Sequence, residues 1–141
     1  MVIGTGLRSL ATVLTALLVG LAVTLAGCAT AGGPVEVSDI KTVTGTWEGI
    51  VYPSSELDPY RVTLTIRDDG TYDVVSVPRQ VPGTSRSKGT IEIRDGRLFM
   101  TGERGRGVGR VLKNRDGSLM MLVDATLSDN STLRVELTPS K

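Results

Sequence analysis

The run from Arg61 to Arg67 reads RVTLTIR, and the three residues that follow, Asp68 to Gly70, read DDG. The apolar residues of this run stand at every second position, which places them on one face of an extended chain. A turn signal of the Asp-Gly type between alternating runs is a strong short-range indication of a β-hairpin. The stretch therefore predicts a half-buried strand that ends in a tight turn.

The same pattern recurs through the rest of the chain. Ile91 and Ile93 alternate with charged residues, and the run from Thr132 to Thr138 alternates in the same way. Further turn signals stand at Asp95-Gly96, Asp116-Gly117 and Ser128-Asp129-Asn130. Eight strands are predicted, at residues 44–52, 60–67, 71–77, 88–94, 97–102, 106–113, 118–125 and 131–138.

Several short strands joined by tight turns predict an all-β fold, an antiparallel up-and-down meander of about eight strands over residues 43–141. A meander of this length can close into a small barrel and so remove its exposed edges. The interior of an eight-stranded barrel is either just filled by side chains or wide enough for one small ligand. A two-sheet sandwich or an incompletely closed barrel is the alternative.

The first 28 residues differ from the rest in composition. Arg8 is their only charged residue, and an uncharged run from Leu10 to Ala26 follows it. A positive start, an apolar run and small residues at its end are typical of a helical secretory signal segment. An uncleaved transmembrane anchor is the alternative, because the run approaches the length that spans a bilayer.

Leu25-Ala26-Gly27-Cys28 closes this segment, and Cys28 is the only cysteine. The four residues resemble the lipobox of bacterial lipoproteins. The resemblance implies that residues 1–27 are a cleaved signal peptide and that Cys28 receives a diacylglycerol. The small residues that follow, Ala-Thr-Ala-Gly-Gly-Pro, predict that residues 28–42 comprise the lipidated Cys and a flexible linker. In that family an Asp after the Cys favours the inner membrane. Ala29 stands there in this chain, which implies an outer-membrane protein facing the periplasm.

Gly45-Thr46-Trp47 opens the first predicted strand. It resembles the Gly-x-Trp signature of lipocalins and related calycin barrels. There the tryptophan closes one end of the barrel and packs against an arginine from a late strand. The resemblance implies that Trp47 and Arg134 form this closure, with the guanidinium stacked on the indole. The alternative is a core tryptophan in an unrelated β domain.

Composition narrows the possible chemistry. The chain has no histidine and a single cysteine, so the usual catalytic triads, zinc sites and intramolecular disulfides are not expected. The residues from Cys28 onward carry 15 basic and 15 acidic side chains, which gives no argument for a nucleic-acid partner. No metal and no cofactor are predicted. Glu48 and Asp124 could in principle act as acid and base, but nothing in their spacing selects them.

Basic residues cluster in the middle of the predicted barrel, with ten basic and three acidic residues between 79 and 115. This distribution predicts either a face for an anionic partner or a solvated sheet face paired with acidic neighbours. The candidate residues for the anionic-partner face are Arg79, Arg86, Lys88, Arg104, Arg106 and Arg110. The glycine-rich stretch 102–110 predicts a hairpin with close backbone contacts, because no helix follows to form a phosphate loop.

These features favour a membrane-anchored, non-catalytic binding or interaction module of the cell envelope. Its partners are expected to be the membrane, through the lipid, and an anionic envelope component or a protein. A carrier of a small apolar ligand is one alternative, and an inhibitor of an envelope-attacking enzyme is another. An enzyme is the least favoured hypothesis.

Overall fold

The computed structural model describes residues 32–54, 58–77 and 83–141, and within these ranges it contains nine strands and one short 3₁₀ helix. The strands are β1 (Pro34–Val35), β2 (Gly45–Pro53), β3 (Tyr60–Ile66), β4 (Thr71–Val77), β5 (Ser85–Arg94), β6 (Arg97–Gly102), β7 (Gly105–Lys113), β8 (Leu119–Leu127) and β9 (Thr132–Pro139). The helix is Ile40–Thr42. None of the described residues forms a helix long and apolar enough to cross a bilayer.

Eight of the strands close into a barrel. Each strand from β2 to β9 pairs antiparallel with the next one, and β2 also pairs with β9 over seven residues, from Trp47 opposite Pro139 to Pro53 opposite Leu133. Every strand of the ring therefore has a partner on both sides. The predicted all-β antiparallel meander and its closure into a barrel are confirmed, and the sandwich alternative is wrong.

Three of the hairpins share one local motif, in which an Asp is followed by Gly or Asn and then by Thr or Ser. In the first, Asp69 Oδ1 accepts hydrogen bonds from the backbone N and the hydroxyl of Thr71, at 2.9 and 2.6 Å. The middle residue has a positive φ, 79° at Gly70. The same arrangement recurs at Asp116–Ser118 and at Asp129–Ser131. These hydrogen bonds fix the turns and lower the pKa of each aspartate.

One end of the barrel is solidly packed. Trp47 is buried there, and its indole Nε1 donates to the carbonyl oxygen of Val43 at 2.8 Å. Large inward-facing side chains fill the space around it, namely Leu64, Ile66, Ile91, Leu98, Val111, Met121 and Leu137. We call this the closed end, and the opposite end of the barrel the mouth.

The segment before β2 belongs to the barrel, which corrects the predicted linker and domain boundary. Pro34 and Val35 pair with Leu112 and Val111 of β7, beyond Gly109, where the pairing of β6 with β7 stops. Val37, at 2% exposure, is buried in the core of the closed end. Residues 34–42, which the sequence assigned to a flexible linker, are therefore part of the barrel, because β7 is longer than β6 and β1 pairs with the part of β7 that extends past β6.

We expect Val37→Ala to destabilise the barrel by about 2 kcal/mol, because it removes two buried methyl groups from a packed site. Glu36→Ala is the matched control: Glu36 is exposed, so its change should be within about 0.5 kcal/mol. Urea unfolding followed by the fluorescence of Trp47, the only tryptophan, measures both. Equal, negligible effects of the two variants would show that this segment is a linker after all.

Candidate functional site

An apolar cavity of about 170 Å³ occupies the half of the barrel nearer the mouth. Its wall is made of inward-facing residues from all eight strands of the ring. The apolar part comprises Val51, Val62, Val74, Met100, Val123, Ala125, Leu127, Leu133 and Val135. Trp47 and the large side chains of the closed end do not line it, so the cavity begins where their packing stops.

Small residues form one side of this cavity. The inward positions of β6 and β7 near the mouth are Gly102, Gly105 and Gly107, and the facing position on β8 is Ala125. Gly102 is required, since a Cβ there would lie 2.4 Å from the hydroxyl oxygen of Tyr72. A Cβ would lie 2.2 Å from the carbonyl oxygen of Thr126 at Gly105 and 3.1 Å from Val123 Cγ1 at Gly107. The backbone of β6 and β7 therefore passes close to its neighbours and forms this part of the wall without side chains.

The cavity reaches the mouth. Among its lining residues, Tyr60, Ser85 and Gly105 are the first residues of their strands, Leu127 is the last residue of β8, and Arg104 lies in the β6–β7 turn. All of these positions are at the same end of the barrel. A ligand entering there would meet polar groups first and an apolar interior behind them, which is the usual composition of a small-molecule site.

The polar groups at the mouth are organised around Arg104. Its guanidinium donates a hydrogen bond through Nη1 to the hydroxyl of Ser85, which lies across β6 on β5. Burial raises the pKa of the Tyr60 hydroxyl, and the nearby charge of Arg104 partly offsets that effect. Tyr60, Ser85 and Arg104 therefore form one polar rim above the apolar wall.

The size of the cavity limits what it can hold. An apolar cavity of about 150 Å³ is known to take a benzene-sized group, whereas drug-sized ligands need about 300 Å³ or more. The interior is thus suited to one ring or one short alkyl segment, and the rest of any ligand would have to lie at the mouth or outside it.

The structure does not place Arg134 against Trp47, which corrects the predicted closure. Arg134 points outward from β9, and its Nε donates to Asp124 Oδ1 at 2.8 Å, while Arg110 donates to the other carboxylate oxygen at 3.0 Å. The hydrogen bond from Arg134, and then the two positive charges, lower the pKa of Asp124. Trp47 faces the interior, so the barrel wall separates the two side chains.

The predicted basic face is only partly available to a partner. Lys88 lies 3.8 Å from Glu103, and Arg110 is paired with Asp124. In the described part of the chain, Arg86 and Arg106 are exposed with no carboxylate within 4 Å, on strands separated by β6. Arg104 belongs to the mouth. Arg79 lies outside the described residues, as do Leu25, Ala26, Gly27 and Cys28.

The carboxylates considered for acid–base chemistry are not brought together. Glu48 points outward from β2 and accepts a hydrogen bond from the Ser140 hydroxyl at 3.2 Å. Asp124 is held by two arginines on a different part of the outer surface. Among the residues that the structure describes, no aspartate or glutamate lines the cavity and no three or more potential metal ligands form a cluster.

No protein-family model, curated protein or solved structure matches this chain.

The sequence left open whether the barrel interior is filled by side chains or holds a small ligand, and it did not predict the role of Arg104. Arg104 was assigned to a broad basic face, and the glycines around it to hairpin geometry. The sequence did contain a signal for a cavity. Side chains alternate between the two faces of a strand, and this alternation places Gly102, Gly105 and Gly107 on the same face as the core residues of β8 and β9. Small residues at neighbouring inward positions indicate missing volume, but only the ring of pairings shows that they face one another.

Proposed function

We propose that this protein is a lipid-anchored module of the cell envelope whose barrel binds, without catalysis, a small apolar group in the cavity. The single observation that carries the binding proposal is the cavity itself, which is apolar and reaches the mouth. The proposal of an anchor rests on the lipobox-like Leu25–Cys28 and the apolar run before it.

The point at which the chain joins the barrel supports this arrangement. Pro34 pairs with Leu112, near the end of β7 that lies at the closed end, whereas the other end of β7, Gly105, lies at the mouth. A tether preceding Pro34 therefore attaches at the closed end. The mouth lies at the opposite end of β7 from this junction.

The absence of carboxylates from the cavity favours binding over chemistry. General acid–base catalysis needs a titratable group within hydrogen-bond reach of the bound substrate. The rim offers Tyr60, Arg104 and several serines, and burial moves the pKa of Tyr60 upward, further from neutral pH. Tyr60, Arg104 and the serines can orient a ligand through hydrogen bonds.

The anchor is tested by labelling with a fatty-acid probe. Expressed in a Gram-negative host, the chain should incorporate the probe and sediment with membranes, because two acyl chains give stable attachment. Cys28→Ala should abolish the label. Since the sulfur is the only proposed acylation site, equal labelling of the two forms would remove the anchor from the proposal.

Binding in the cavity is tested with hexanol, a neutral probe with a short alkyl chain. The host-processed protein is held in lipid nanodiscs, with empty nanodiscs as the blank. Hexanol should shift the methyl NMR signals of Leu133 and Val135 and leave those of Leu137, at the closed end, unchanged. Ala125→Leu should weaken binding at least tenfold, because its side chain fills the cavity.

Thr126→Leu is the matched control, since residue 126 is the next position on β8 and faces outward. It should bind hexanol as the unaltered protein does. Thermal unfolding confirms that both variants are folded, and Ala125→Leu should be no less stable, because it fills empty space. Two results would contradict a ligand site in the cavity. One is that Ala125→Leu still binds hexanol, and the other is that hexanol shifts the methyl NMR signals of the closed end as well.

A further inference from the structure

We infer that the cavity selects amphiphiles with an anionic head group, a carboxylate or a phosphate ester, and that Arg104 is the residue that recognises it. This inference rests on the proposed binding function and specifies its ligand class. It follows from the charges at the rim, from the contacts that hold Arg104, and from the size of the cavity.

Arg104 places a positive charge at the rim of the mouth. Among the described residues, the lining contains two charged residues, Arg104 and Arg106, and no carboxylate. The side chain of Arg106 points outward from β7, because Arg106 lies between the inward-facing Gly105 and Gly107, so Arg104 alone brings its charge to the cavity. Glu103, the neighbour of Arg104 in the turn, lies instead within 3.8 Å of Lys88 on the outer surface. Within the described ranges no carboxylate lies within 4 Å of Arg104.

The position of Arg104 is fixed by neutral groups. Its side chain donates to the hydroxyl of Ser85, and its carbonyl oxygen accepts from the backbone N of Ser128 at 2.9 Å, which ties the turn to the end of β8. A guanidinium carries five N–H donors, and the bond to Ser85 uses one of them. The remaining donors can bind a carboxylate or phosphate in the paired geometry that arginine favours.

The hydroxyl groups around Arg104 extend this anion site. Tyr60 and Ser85 line the same mouth, and Ser87 and Ser76 lie next along the inward faces of β5 and β4. Hydroxyl groups can donate to an anionic oxygen, whereas none of these side chains carries a charge that would repel it. An anionic head at the mouth would thus meet one cation and several neutral donors.

The size and the lining of the cavity determine which apolar group the ligand can carry. Its volume of about 170 Å³ accepts a short alkyl segment, and its deeper wall is made of Val62, Val74, Met100 and Val123 together with the ring of Tyr72. An alkyl chain inserted from the mouth would leave its polar end beside Arg104. The site therefore matches a single-chain amphiphile, held at one end by charge and at the other by burial.

Four probes with the same alkyl chain test the inference: hexanol, hexanoate, hexyl phosphate and hexylammonium. They are titrated at neutral pH into the processed protein in nanodiscs of uncharged lipid, with the methyl NMR readout described above. At least one of the two anions should bind about tenfold more tightly than hexanol, and hexylammonium more weakly. The ranking of hexanoate and hexyl phosphate distinguishes a carboxylate ligand from a phosphate ligand.

Arg104→Gln should remove the preference for anions while hexanol still binds. Arg86→Gln is the matched control, because Arg86 is exposed on the outer face of β5, beside Ser85, and does not line the cavity. It should keep the preference. Ser85→Ala should reduce the preference without abolishing it, since it removes the group that holds Arg104. Added salt should weaken the preference in the unaltered protein.

The outcomes separate the two proposals. If hexanol binds in the cavity but the anions bind no better, or if Arg104→Gln and Arg86→Gln behave alike, the anion selectivity is wrong and the binding function stands. If none of the four probes shifts the cavity methyl groups, the proposed binding function itself is wrong.

Discussion

The pairing of β2 with β9 is the constraint on which the rest of the structure depends. All other pairings of the ring join strands that are neighbours in sequence, whereas this one joins the first and last strands of the ring over seven residues. Once it forms, the barrel has a definite inside and outside, and the period of two assigns every side chain to one of them. The core, the cavity and the outward ion pairs all follow from that assignment.

Within the closed barrel, side-chain volume is distributed unevenly along the axis. The closed end holds a tryptophan, several leucines and isoleucines and a methionine, and the N-terminal segment covers it with Val37 and Val43. The half nearer the mouth is lined by glycine, serine, alanine and valine together with fewer large residues. Packed interiors normally contain few voids larger than a water molecule. The apolar cavity in the half nearer the mouth is therefore the feature of this core that calls for a functional explanation.

The sequence predicted the strands well because strict alternation and Asp-containing turns are local signals. It did not predict β1, since a strand of two residues shows no period and the preceding Gly-Gly resembles a linker. The sequence did indicate that Arg134 cannot stack on Trp47. Arg134 alternates with the apolar residues Leu133 and Val135, so its side chain must face outward, away from the core that holds Trp47. The cavity and the contact of Arg104 with Ser85 join residues distant in sequence, and their geometry depends on which strands face each other across the ring.

The central claim is that the barrel encloses an apolar space near its mouth. Xenon binds to apolar cavities that stay free of water, so crystals of the processed protein exposed to xenon under pressure test the claim most directly. The account predicts a xenon atom in van der Waals contact with Val62, Ala125 and Val135. Side chains that fill this space, or ordered water in place of xenon, would contradict it.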